Sequence, residues 1–268
     1  MMLRAWWIVP FLAMPAQDDR DKLLKTFVEE FVAITPGEHG FPASYSMGSA
    51  AGSSVERPPH DVTFKYSFKV ARYEVPQNLW EAVMGENPSA WKGRRNSVEK
   101  LSFAKAEEFC RKTTELLRAA KLIGTDEVVR LPSEAEWEYV ARAGTATRFS
   151  FGDNEMDLGA HAWFTGNAAG NDPPVGAKKP NAWKLYDVHG YLWEWCADPW
   201  HDDYQGAPTD GSVWAAGGNP QRRVLRGGSW KDEAGHLTSS FRRGVPAGLE
   251  DDAVGLRCVL AKTEGKPK

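Results

Sequence analysis

The chain has 268 residues, 33 basic against 36 acidic side chains and a formal net charge of −3. That length allows one large domain or two small ones, and the interspersed charge excludes a polyanion-binding signature. Lys92-Gly93-Arg94-Arg95 and Arg222-Arg223 read as solvated surface, so nucleic acid is not an expected partner.

The first residues read as an export signal. Met1-Met2-Leu3-Arg4 is a short basic segment, Ala5 to Met14 is apolar, and cleavage is expected after Ala16. This apolar run is too short to span a bilayer and no later one does so. The expected product is periplasmic or extracellular, without a membrane span. The expected division is a signal peptide (1–17), an N-terminal helical leader (18–40), the main domain (41–261) and a disordered tail (262–268).

Asp18 to Ala33 is predicted as a helix, because Leu23, Leu24, Phe27, Val28, Phe31 and Val32 recur near helical spacing, with Pro36-Gly37 stopping it. Asp61 to Tyr73 alternates as strand through Val62, Phe64, Tyr66, Phe68 and Val70. Pro76 opens a short helix through Met84 that Gly85 closes. Ser102 caps a helix to about Lys121, with Phe103, Ala106, Phe109, Cys110, Thr113 and Leu117 on its inner face. Ser133 and Glu136 form a capping box for the next helix, ended by Gly144. Beyond Thr145 no long helix is expected; the aromatics are spread over turns rich in Gly, Asn, Asp and Pro. Arg223 to Trp230 reads as a strand entering a tight turn, and Val254 to Leu260 as the last strand. Twelve tryptophans and 25 glycines predict a loop-rich fold filled by indoles.

In Gly190-Tyr191-Leu192-Trp193-Glu194-Trp195-Cys196 a carboxylate lies between two indoles, where a bare charge is costly. Two readings are open. Asp187, Glu194 and intervening carbonyls suit a hard cation such as Ca²⁺, or Glu194 meets an arginine or backbone N–H groups in the core. Three cysteines without a Cys-x-x-Cys pair are consistent with one disulfide and one free thiol. Asp232, Glu233 and His236, like His201-Asp202-Asp203, read first as solvated surface and second as a weak metal site.

Several ordered blocks carry a resemblance. They are Ser46-Met47-Gly48-Ser49, Tyr73-Glu74-Val75 leading to Trp80, Ala106 to Cys110, Arg130 to Glu138, Pro180 to Trp183, Tyr186 to Gly190, Trp193-Glu194-Trp195, Arg226-Gly227-Gly228-Ser229-Trp230 and Gly255-Leu256-Arg257-Cys258. Over about Phe41 to Leu260 this resembles the formylglycine-generating enzyme, or sulfatase-modifying factor, family. The resemblance implies a compact, irregular α+β fold related to C-type lectins, with low regular secondary structure. It implies Ca²⁺ at Asp187, Gly190, Leu192 and Glu194, glycine and leucine acting through their carbonyls. A second family calcium site is not carried over, since Ala162 to Asp172 offers poor ligands. The resemblance also implies a Cys110–Cys258 disulfide, leaving Cys196 as a buried thiol.

The founding enzymes oxidise a substrate cysteine to formylglycine with two copper(I)-binding cysteines placed soon after the Gly-Gly-Ser-aromatic turn. Here the first position falls at about Asp232, and no cysteine follows before Cys258. Copper(I) selects thiolates, so copper is not an expected cofactor. Tyr191 stands where the family usually has asparagine. Trp193 and Ser229 match residues of the family's oxygen and substrate pocket, and are read here as pocket remnants without a catalytic assignment. The expected function is an exported, calcium-stabilised binding or accessory module using the Asp198–Gly218 and Lys231–Leu249 loops. Trp230, Asp232, His236 and Arg242 are its candidate ligand residues, and the expected ligand is a peptide, protein or glycan. The alternative is a divergent oxidoreductase of the same family, acting on sulfatase cysteines or another substrate.

Overall fold

The computed structural model describes residues 17–168 and 172–263. Residues 1–16 of the expected signal segment (1–17) and 264–268 of the expected disordered tail (262–268) lie outside the described residues, whereas Gln17 opens the first helix and Lys262 pairs with Glu127 as part of the last strand. In chain order the elements are α1 (Gln17–Glu29), β1 (Phe31–Ile34), β2 (Ser44–Met47), β3 (His60–Thr63), β4 (Phe68–Ala71), α2 (Gln77–Met84), α3 (Phe103–Ala119), β5 (Glu127–Arg130), α4 (Glu134–Arg142), α5 (Leu158–His161), β6 (Trp193–Trp200), β7 (Asn219–Arg226), β8 (Arg242–Pro246), β9 (Val254–Gly255) and β10 (Val259–Lys262).

Helix boundaries follow local chemistry. Pro76 precedes α2, and Gly85 ends it in the left-handed region at φ 82°. At α4 the Ser133 hydroxyl accepts from the Glu136 N–H at 3.0 Å, while the Glu136 carboxylate accepts from the Ser133 N–H at 2.9 Å. The first helix departs from its predicted length. It stops at Glu29, and Phe31 to Ile34 pair antiparallel with Ala71 to Phe68. Aromatic and β-branched residues gain more on a sheet edge than in another helical turn. Leu24 and Phe27 of this helix enter the main core.

Three sheets form, in the orders β1-β4-β10-β5, β2-β3 and β8-β7-β6-β9. The alternating run from Asp61 to Tyr73 is divided between β3 and β4, which lie in different sheets. The expected final strand is likewise split into β9 and β10. Between them Leu256-Arg257-Cys258 leaves regular pairing, and the Arg257 side chain turns into the interior.

The core is built on stacked indoles. Trp80 stacks on Phe109 at 5.1 Å, and Trp195 meets Phe103 edge-on at 5.9 Å while donating to the Leu101 carbonyl at 3.1 Å. Beside this lies a buried charge network. Glu134 accepts from Arg242 through both oxygens, at 2.7 and 2.8 Å, and from Arg226 at 3.1 Å. Glu138 accepts from Arg226 at 2.5 Å and Arg142 at 2.8 Å. Burial pushes the Glu138 carboxyl up, but Arg142 and Arg226 outweigh it and hold it below its ordinary value. This network fastens α4 to β7 and β8, the elements that flank the 227–241 loop. Among the described residues no helix is long and apolar enough to cross a membrane.

Candidate functional site

The 185–196 loop is wound tightly. Asp187, Gly190 and Tyr191 all lie at positive φ, 58°, 115° and 72°. A Cβ at Gly190 would sit 2.4 Å from the Trp163 carbonyl oxygen, so the turn requires glycine. The Glu194 carboxylate is fully enclosed. It accepts from Arg257 Nε at 3.0 and 3.1 Å, from Arg257 Nη2 at 2.7 Å and from Trp137 Nε1 at 2.7 Å. Thus the arginine reading of Glu194 is realised.

Two further buried acids share this charge environment. Glu74 accepts from the Leu192 N–H at 3.2 Å and from Ser97 Oγ. Burial, then Glu194 and Asp187, push its carboxyl well above the ordinary range. Asp187 Oδ2 accepts from the Gly176 N–H at 2.7 Å, whereas the buried Oδ1 has no hydrogen-bond partner among the described residues. Burial raises Asp187 to about 6. Glu74, Asp187 and Glu194 lie around one guanidinium, that of Arg257. The donors are unequal, because Asp187 Oδ1 is open and Glu194 is already neutralised by Arg257. Among the described residues no three His, Cys, Asp or Glu side chains converge as a metal site.

The matched pocket residues do come together. Trp193 Nε1 donates to Asp232 Oδ2 at 2.8 Å, and Ser229 Oγ donates to the same oxygen. Asp232 therefore serves as the acceptor that orients both side chains. His236 reaches its other oxygen at 3.3 Å and is half exposed. Phe241 covers this corner, 6.0 Å from the Trp193 ring and 4.6 Å from His236.

Arg242, expected on the ligand-facing loop, is 1% exposed. Besides Glu134 it donates to the Val55 and His201 carbonyls, both at 3.0 Å, so it ties the bases of the two expected loops together and does not face a ligand. His201 stacks on Trp214 at 3.5 Å, its ring nitrogens within hydrogen-bond distance of the Pro199 and Ala216 carbonyls. Trp230 lines a cavity of about 550 Å³, together with Trp91, Glu99, Trp163, Asp172 and Tyr191.

His189 is a functional-looking residue that sequence reasoning passed over. The Ser150 N–H donates to Nε2 at 3.0 Å, which leaves the proton on Nδ1, and Nδ1 donates to the Leu237 carbonyl at 2.8 Å. The ring thereby pins the 227–241 loop. Burial lowers its pKa to about 4. The Cys110 and Cys258 sulfurs lie 3.9 Å apart, unbonded, between α3 and the segment before β10. Cys196 is buried, and burial raises its thiol pKa well above the ordinary value.

The mixed α+β layers, short strands and long loops define a C-type-lectin-like fold. The model for the sulfatase-modifying factor enzyme 1-like domain matches residues 18–262, and the chain belongs to that family. It is 30% identical over 238 residues to "Chaperone protein LppX" of Paenibacillus barcinonensis, covering 73% of this chain and 80% of that one. It is 36% identical over 115 residues to the formylglycine-generating enzyme of Thermomonospora curvata, covering 38% of each chain. Among solved structures it resembles PvdO from Pseudomonas aeruginosa, with TM-score 0.74 and 28% identity over 87% of this chain and 94% of that one.

Proposed function

We propose that this protein is an exported binding or accessory module of the family, stabilised by calcium, and not a copper oxidase. The observation that carries the reading is Asp232. A carboxylate stands where the first copper cysteine is expected, and Trp193 and Ser229 both donate to it. A hard oxygen donor is a poor copper(I) ligand, and this one is already engaged. The name of the Paenibacillus relative, a chaperone, is in keeping with an accessory role. The binding surface is the face around Trp230 and the loop after it, and a peptide, protein or glycan is the proposed class of partner. Calcium would be held by Asp187 and the Gly190 and Leu192 carbonyls, with Glu194 shared between the ion and Arg257.

The test is metal content by mass spectrometry after exposure to Ca²⁺ and, anaerobically, to copper(I), with a cysteine-peptide oxidation assay alongside. One calcium per chain, lost in Asp187→Asn, with no stoichiometric copper and no peptide oxidation, is the expected result. One copper per chain with oxygen consumption would overturn it and bring forward the divergent oxidoreductase.

A further inference from the structure

We propose that the cavity beside Trp230 binds a small organic ammonium ion, its charged nitrogen toward Glu99 and its alkyl part among Trp91, Trp163 and Trp230. This rests on the binding-module reading and adds a small-cation site to the face proposed for the larger partner. Three indoles, of which Trp91 is half exposed, and Tyr191 line an open cavity of about 550 Å³, the size of a small-molecule site. Among the described residues Glu99, Asp172 and Asp252 also line it, against one lining cation, Lys231. That lysine is already neutralised by Asp251 at 2.9 Å and by Asp252. The cavity is therefore net acidic as well as aromatic, the combination that recognises an organic cation over a neutral hydrocarbon or an anion.

Glu99 supplies the second, independent observation. Its side chain is 97% buried, being 3% exposed, and Oε1 accepts from the Trp91 N–H at 3.0 Å. The Ala90 N–H also lies against this carboxylate, but among the described residues Oε2 has no hydrogen-bond partner. A buried carboxylate oxygen left unpaired is costly, and an ammonium N–H satisfies both its charge and its lone pairs. Asp172, by contrast, is engaged by Asn96 and, at 3.4 Å, by Tyr191. The indole faces of this region already accept ammonium groups from within the chain. Lys178 Nζ lies 3.9 Å from the Trp163 ring centroid, and Lys231 Nζ 5.2 Å from that of Trp230. Calcium is a weaker fit, because the walls are indoles rather than oxygens.

The experiment titrates the full chain with n-pentylammonium chloride, at constant ionic strength and saturating Ca²⁺. It follows the indole N–H resonances by ¹⁵N–¹H correlation and compares 1-pentanol and pentanoate. Saturable shifts confined to Trp91, Trp163 and Trp230, with pentanol and pentanoate at least tenfold weaker, are the expected result. Glu99→Gln, which keeps the acceptor for the Trp91 N–H, should weaken pentylammonium about tenfold and leave pentanol unchanged. Trp230→Phe should weaken it less than Trp230→Ala. Equal binding of pentanol would overturn the proposal by showing a merely apolar cavity. So would displacement of pentylammonium by further Ca²⁺, shifts at other indoles, or an unchanged affinity in Glu99→Gln. None of these readouts involves copper or peptide oxidation, so the proposal can fail while the binding-module reading stands, and the reverse.

Discussion

At the scale of single residues, His189 ties the 227–241 loop to the neutral form of its ring. The neutral ring is the folded form, since its two nitrogens serve one donor and one acceptor. Its pKa falls from the ordinary 6.5 to about 4, with burial the leading cause. Above 6.5 both folded and unfolded chains carry it neutral, so its contribution is complete there. As pH falls from 6.5 toward 4 the unfolded chain takes up a proton that the folded chain refuses, and stability is lost, by at most about 3 kcal/mol. Asp187, near 6, and Glu99, near 7, act oppositely, because their raised values favour the folded chain as pH falls. The His189 effect is therefore read as a difference between proteins. Urea unfolding at stepped pH should show the parent losing more stability than His189→Gln between 6.5 and 4; parallel curves would refute the assignment. From sequence this residue was one more polar position in a turn. Its partners, Ser150 and Leu237, lie 39 and 48 residues away.

At the scale of elements, legibility tracks the range of the governing interaction. The Ser133–Glu136 box and the Pro76 and Gly85 boundaries were readable because each depends on neighbours within a turn. Strand β6 was not, since Trp193 to Trp200 is buried on both faces apart from Ala197, and the alternation that marks a one-sided strand is missing. The network of Glu134, Glu138, Arg226 and Arg242 was equally hidden, its partners being 88 to 108 residues apart. For Glu194 the sequence posed the arginine alternative but could not say that Arg257 was the one. The candidate cavity draws Trp91, Trp163 and Trp230 from three distant segments, each unremarkable alone. Two elements still carry a bond to be tested. Helix α3 and the segment before β10 bring Cys110 and Cys258 side by side, and closing a loop of 148 residues would add roughly 3–5 kcal/mol. Protein recovered from an oxidising compartment should show one titratable thiol, Cys196, when denatured without reductant. Three would mean that the bond does not form.

At the scale of the whole molecule, the sheet holding β1, β4, β10 and β5 joins the first strand of the chain to the last. Val259 pairs with both Val70 and Arg130, so β10 is a central strand rather than a margin. Its removal leaves β4 and β5 with unpaired ladders, and exposed ladders template association between chains. Ending the chain after Cys258, which keeps Arg257 on Glu194, should therefore abolish the cooperative unfolding transition and yield aggregates. A soluble, cooperatively melting product would show that the second sheet and its indole core suffice alone. The same topology sets a clock on synthesis. While the ribosome still holds residues 259–262 in its exit channel, β4 and β5 wait without their common neighbour. The domain closes only after emergence of a segment made some 190 residues later than β4, and until then the nascent chain depends on whatever shields its edges.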